Sequence, residues 1–159
     1  MVNETTKVRR GLGFLLHETS RLMRRRFVQH ARDAGLRLTR SEAAVLLHVF
    51  HAPGISQVTL ANHLDIETIS VVRLIDSLQA AGLIERRAHP TDRRVRTLWL
   101  TAAAGPAIER IQAIGGLVRA QALAGVPVEQ HELLFDLLSV IRTNLEAVEP
   151  AEAEAEVVG

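Results

Sequence analysis

The stretch that decides the fold is Ser56–Thr101, SQVTLANHLDIETISVVRLIDSLQAAGLIERRAHPTDRRVRTLWLT. Ser56 suits the N-cap of a short helix over SQVTLANHL, with Leu60, Ala61 and Leu64 as its apolar face. DIET leaves only a few residues of turn. ISVVRLIDSLQAAG then reads as a second helix closed by Gly82. Two short helices joined by a tight turn make a helix-turn-helix. On the second helix Ile69, Val72, Ile75 and Leu78 are expected to face the core, with Val71 and Leu74 off that face.

LIERRAHP and RRVRTLWL both alternate apolar or β-branched residues with arginine, which is strand patterning, and PTDRR between them is a turn. The two form a hairpin with Arg93 and Arg94 at its tip. A helix-turn-helix followed by a basic hairpin is a winged helix-turn-helix. The charged tip then has a use, because a narrow minor groove of DNA concentrates negative potential and attracts inserted arginine. Asp92 would be repelled by phosphate. Its expected role is to stabilise the wing, by pairing with Arg94 or by capping the turn.

On the second helix of the pair, Thr68, Ser70 and Arg73 are short or forked side chains able to reach base edges or phosphates. Gln57 and Arg96 complete the expected DNA-binding set. Val71 either packs or touches a thymine methyl.

Working outward, residues 8–34 read as one long helix on which Leu12, Leu15, Leu16, Leu22, Met23, Phe27 and Ala31 recur at helical spacing. RLMRRRF places Arg21, Arg24, Arg25 and Arg26 across it, either as a solvated face or as an anion site. TRSEAAVLLHVFH is a further helix, with Thr39 and Glu42 at capping-box spacing, broken by Pro53 and Gly54. After Thr101 comes a fifth helix, with Gly115 and Gly116, poor helix formers, in its middle. A sixth has Pro127 near its start and an apolar stripe of Leu133, Leu134, Leu137, Leu138, Ile141 and Leu145.

The expected class is mainly α with a small β-hairpin wing. Residues 36–101 form the winged helix-turn-helix, residues 1–35 and 102–148 a helical dimerisation region, and 149–159 a disordered acidic tail. The first and last helices carry more apolar surface than a small winged domain needs, which suggests a homodimer.

Composition narrows the function. Of 159 residues 47% are hydrophobic but only 3% aromatic, so the core must be aliphatic. With no cysteine there is no disulfide, thiolate catalysis or thiol redox sensing. No apolar run is long enough for a membrane span and no signal-peptide pattern is evident, so a cytoplasmic protein, nucleoid-associated when on DNA, is expected. The net charge of +1 hides an asymmetry: residues 7–40 hold ten basic and two acidic residues, whereas residues 102–159 hold three and nine. Eighteen of the nineteen basic residues are arginine, which suits bidentate contact with phosphate or guanine. No glycine-rich phosphate loop, Ser–His–Asp order or H-x-x-x-H pair is present, so no enzymatic activity is expected.

At this point the chain resembles the MarR family of bacterial regulators, within it the SlyA-like pattern, over roughly residues 10–147. Asp92, Arg94, Leu98, Leu100 and Thr101 match the family's wing signature, and Arg73, Asp76, Leu78, Gly82 and Leu83 its helix-turn-helix. The resemblance implies a triangular homodimer on a near-palindromic operator in double-stranded DNA. Each wing would lie in the minor groove and each fourth helix in the major groove, with DNA roles for Ser70, Arg73, Arg93 and Arg94 and a wing-stabilising role for Asp92. It also implies an effector pocket between the dimerisation helices and the winged domain, for an aromatic carboxylate or phenolic ligand that releases DNA. Ile69 departs from the family, which often has a small polar residue or proline there. The absence of cysteine excludes the peroxide-sensing branch.

His17 and Arg21, one helical turn apart, are the expected effector-binding pair, because together they can hold a carboxylate. His48 and His51 have the spacing of two zinc ligands, but no third ligand lies nearby, and neither metal nor cofactor is assigned. An alternative of a different class is an architectural DNA binder of little sequence preference that competes with nucleoid proteins.

Overall fold

The structure, a computed structural model, describes residues 11–92 and 94–147. The acidic tail expected over 149–159, the first residues of the helix expected over 8–34, and Arg93 lie outside this range. Six helices and one hairpin follow in order: α1 (Leu12–Asp33), α2 (Arg40–His51), α3 (Gln57–Leu64), α4 (Thr68–Ala80), β1 (Ile84–Ala88), β2 (Arg96–Leu100), a single 3-10 turn (Ala102–Ala104), α5 (Gly105–Ala122) and α6 (Glu129–Glu146). This is the mainly helical winged helix-turn-helix expected. The chain divides into two compact units, one ending at Arg119 and the other beginning at Ala120.

In the first unit the core is aliphatic, as the composition requires. Leu46 and Val49 of α2, Leu60 of α3, Ile75 of α4, Ile84 of β1 and Leu98 of β2 have no accessible surface or almost none. Ile108 and Ile111 of α5 join the same cluster, and Phe27 packs against it from α1. The first half of α1 does not share in this burial: Leu12, Phe14, Leu15 and Leu22 are about half exposed.

The starts of α2 and α3 are written in the sequence. The Thr39 hydroxyl accepts from the Glu42 backbone N–H at 3.2 Å, and the Glu42 carboxylate accepts from the Thr39 N–H at 2.8 Å. Ser56 Oγ accepts from the Thr59 N–H at 3.1 Å. Glu42 does more than cap its own helix. Its other carboxylate oxygen accepts from Ser77 Oγ of α4 at 2.7 Å, so one side chain closes α2 and ties it to α4.

The inward face of α4 differs from the expected one. Val71, Ile75 and Leu78 are fully buried, Val72 is half-buried, and Ile69 is 56% exposed. The reason is helical geometry. Each residue advances about 100° around the axis, so steps of four and seven return nearly to the start, whereas three successive steps of three drift through about 180°. Ile69 and Leu78 therefore lie on opposite sides of α4, and Val71 packs in the core instead of reaching outward.

β1 and β2 pair antiparallel from Ile84 opposite Leu100 to Ala88 opposite Arg96. The segment before α3 meets the hairpin through an isolated bridge, Ser56 opposite Thr97: the Gly54 N–H donates to the Leu98 carbonyl at 2.9 Å, and the Leu98 N–H to the Ile55 carbonyl at 3.0 Å. Gly54 has φ of +85°, and a Cβ there would meet the Trp99 ring at 3.0 Å, so this crossing requires glycine. Thr101, the last residue of the wing signature, donates its hydroxyl to the Gly82 carbonyl at 2.6 Å and its N–H to the Leu83 carbonyl at 3.1 Å. It fastens the end of β2 to the end of α4.

α5 runs helically through Gly115 and Gly116, and its Ile114 and Val118 are buried. α6 starts at Glu129 with Val128 at its N-cap, placing Pro127 just ahead of the helix, not inside it. Within the second unit, Leu133, Leu137 and Leu145 of the apolar stripe are more than half exposed, Leu134 and Leu138 somewhat less, and Ile141 is half-buried. Among the described residues no helix is long and apolar enough to cross a membrane.

The Glu42 cap carries a pH dependence. Partial burial raises its carboxyl pKa, but hydrogen bonds from the Thr39 N–H, the Ser77 hydroxyl and the Thr39 hydroxyl outweigh burial and hold it below the ordinary value of 4.5. The folded state thus favours the ionised form. Its contribution is complete above the unfolded value and is lost as pH falls through the lower folded one. Urea titrations across acid pH should show Glu42→Gln less stable than the parent at neutral pH, with the gap closing below about pH 4. A gap independent of pH would contradict this assignment. Thr39→Ala should cost about 1 kcal/mol.

Candidate nucleic-acid interface

The turn between α3 and α4 is made by Asp65, which caps α3 in the left-handed region with φ of 51°. Aspartate tolerates that conformation better than most residues. The Ile66 N–H returns to the Ala61 carbonyl at 3.2 Å, and Glu67 is extended before α4 begins. Asp65 therefore suits its place through backbone geometry. The turn presents the first two turns of α4 outward: Thr68, Ile69 and Arg73 are exposed and Ser70 is half-buried.

The wing turn is closed by Asp92. Its side-chain oxygen accepts from the Arg94 N–H at 2.9 Å, and its carbonyl accepts from the Val95 N–H at 3.1 Å. Of the two expected roles it takes the cap. The Arg94 guanidinium stays exposed, and so does Arg96 on the following strand.

Arg86 of β1 holds the helix-turn-helix and the wing in register. Its Nε donates to the Gln57 amide oxygen at 2.8 Å, one terminal nitrogen to Gln79 at 2.5 Å, and the other to the Asp76 carboxylate at 2.5 Å. One guanidinium thus spans the start of α3, the later turns of α4 and the hairpin. Gln57, expected to contact DNA, has its amide oxygen committed to this bridge. Sequence reasoning did not single out Arg86, though a signal was present. Side chains alternate along a strand, so Arg86 shares the face of Ile84, which is buried.

Arg87, on the opposite face, lies over the Trp99 ring at 4.6 Å from its centroid and is paired with Glu85. The indole N–H donates to the Thr97 hydroxyl at 3.0 Å, which in turn donates to the Arg87 carbonyl at 3.2 Å. These contacts stiffen the base of the wing and occupy the Arg87 charge. By contrast, Arg73, Arg94 and Arg96 have no carboxylate partner among the described residues.

His17 is exposed on α1. Arg21 is held by Glu18 through two hydrogen bonds, of 3.1 and 2.7 Å, and this pairing raises its pKa above the ordinary value. The fork expected to receive an effector carboxylate therefore already holds one from its own helix. His48 lies 5.8 Å from His63, ring centre to ring centre. Burial, and then the nearby His63 and His51, keep its pKa below 6.5. No cluster of three ligand-type side chains able to hold a metal occurs among the described residues.

Comparison with known proteins bears on this geometry. A model of the MarR family matches residues 38–95, which span α2, α3, α4, β1 and the wing turn up to the start of β2. The crystal structure of a transcriptional regulator shares 33% identity and a TM-score of 0.72, covering 86% of this chain and 99% of its own. A mutant of MarR from E. coli shares the fold at 23% identity and a TM-score of 0.71, covering 88% and 99%. The same mutant in complex with operator DNA matches at 24% identity and a TM-score of 0.65, covering 82% and 92%.

Arg86→Ala removes three hydrogen bonds, one of them to a carboxylate, from a residue whose side chain is largely shielded. The expected cost is about 2 kcal/mol in urea denaturation. Amide exchange should accelerate in the wing and at the start of α3 together. Acceleration in the wing alone would refute the bridging role.

Proposed function

The chain belongs to the MarR family, and from that premise we propose that it is a dimeric, sequence-specific DNA-binding transcriptional regulator. The carrying observation is the contrast among its arginines. Those at the base of the wing are spent on carboxylates and an aromatic ring, whereas Arg73, Arg94 and Arg96 are exposed and have no carboxylate partner among the described residues. An arginine left without a partner on a stiffened scaffold is ready to meet phosphate or a base edge at little ordering cost.

In this reading α4 enters the major groove with Thr68, Ser70 and Arg73 toward base edges. Arg94 and Arg96, with Arg93, bring the wing to the minor groove, and Asp92 sets the turn. Gln57 acts through Arg86, orienting α3, more than through its own contact with DNA. Two copies are needed for a near-palindromic operator. The exposed apolar residues of α1 and α6, including Leu12, Leu15, Leu133 and Leu137, support a dimer, because such a surface is unfavourable in water. Release by an aromatic carboxylate at His17 and Arg21 belongs to the same proposal, and the ligand must displace Glu18 from the arginine fork.

Fluorescence anisotropy on a duplex from upstream of the protein's own reading frame, set against a scrambled duplex at physiological salt, tests the central statement. A preference of about 10³-fold or more supports a specific regulator. Equal binding to both supports an architectural binder. The preferred duplex then allows salicylate to be screened for release. On that duplex Arg94→Ala should weaken binding about tenfold and leave the dimer intact, since a hydrogen bond to a charged group is lost.

Ile69, placed outward by the α4 geometry, is suited to a thymine methyl in the major groove. Replacing the contacted thymine by deoxyuracil should weaken binding about fourfold, the worth of one buried carbon. The same replacement should have no effect on Ile69→Ala. An equal loss in both proteins would place the methyl contact elsewhere.

A further inference from the structure

Apart from Arg21, RLMRRRF and the residues that follow it to the end of α1 are not used by the DNA-binding reading. α1 turns Arg21, Arg25, Val28 and Arg32 along one stripe, and Arg24 and Gln29 flank it. Together with Arg40, the first residue of α2, they line a groove of about 450 Å³ within the first unit. That volume is in the usual range for small-ligand sites. The lining contains five guanidinium groups and no carboxylate. Arg21 is held by Glu18, while Arg24, Arg25, Arg32 and Arg40 have no carboxylate partner among the described residues. The Gln29 amide is turned to Asp33.

We propose that this groove between α1 and α2 binds a small anion carrying two or more phosphate groups. Four like charges lining one concave surface repel one another, and a bound anion relieves the repulsion. The charge count sets the ligand class. A single carboxylate matches one guanidinium fork, leaving the others unneutralised, whereas linked phosphates offer oxygens to several forks at once. The groove shares Arg21 with the expected effector pair, but its lining holds no aromatic ring on which an aromatic effector would stack. The groove is open, six of its seven lining residues lie on α1, and Arg40 closes it from the start of α2. The inference does not depend on the DNA-binding reading.

Isothermal titration calorimetry of the full chain with inorganic tripolyphosphate tests it, with inorganic phosphate and sulfate at matched ionic strength as comparisons. One saturable site per chain is expected for tripolyphosphate, with phosphate and sulfate at least about tenfold weaker. The double variant R32Q/R40Q should lose about a hundredfold in affinity, each lost charge-assisted contact being worth roughly tenfold. The wing variant Arg94→Ala should bind tripolyphosphate unchanged. Circular dichroism checks folding, and if R32Q/R40Q does not fold, R24Q/R25Q carries the same comparison. No saturable binding, affinity retained in the groove variants, or a loss in Arg94→Ala overturns the proposal. If the groove variants keep tripolyphosphate binding but weaken binding to a random-sequence duplex, the arginines contact the DNA backbone instead.

Discussion

The Arg86 bridge is the constraint on which the geometry of the winged domain depends. A hairpin of two five-residue strands has little stability of its own, and α3 is only eight residues long. Neither element fixes its own orientation. The guanidinium joins Asp76 and Gln79 of α4 to Gln57, 29 residues before it in the chain, at a point where the side chain is mostly shielded from water. Its planar fork gives direction as well as attraction. Around it, Thr101 closes the end of β2 onto α4, and the Gly54–Ser56 segment closes the other edge of the hairpin. The angle between α4 and the wing, which decides whether both can meet one duplex, is thereby set by a few directed polar contacts over an aliphatic core.

The same fold divides the arginines into two kinds. Arg21, Arg86 and Arg87 are committed to carboxylates inside the chain. Among the described residues Arg73, Arg94 and Arg96, and Arg24, Arg25, Arg32 and Arg40 of the groove between α1 and α2, are not. Only the second kind can offer full charge to an outside anion. This division matters more than the net charge of +1, because a phosphate interacts with the local field within a Debye length of about 8 Å.

Much was legible in the sequence for physical reasons that act locally. The capping box needs residues three apart, so Thr39 and Glu42 could be read directly. The wing turn needs a short side chain that bonds its own backbone, so Asp92 could be read as a stabiliser, though whether it capped the turn or paired with Arg94 stayed open. The face of α4 was misread because a run of apolar residues spaced by three looks helical over two turns and drifts off its stripe by the third. Gln57 was read as a DNA contact because an exposed amide near a helix start has that chemistry; its partner, Arg86, is 29 residues away.

By itself, then, the sequence determined the number and order of the helices, the hairpin, the caps and the charge of the wing, because periodicity, capping and turn chemistry operate over three to seven residues. Only the tertiary structure decided which arginines are neutralised and which remain available, that Ile69 faces outward and Val71 inward, and that Glu42 joins α2 to α4 through Ser77, 35 residues away. These depend on which side chains the core brings within hydrogen-bonding distance, and that distance is set by the packing of Leu46, Leu60, Ile75 and Leu98 against one another, not by any neighbouring residue in the chain.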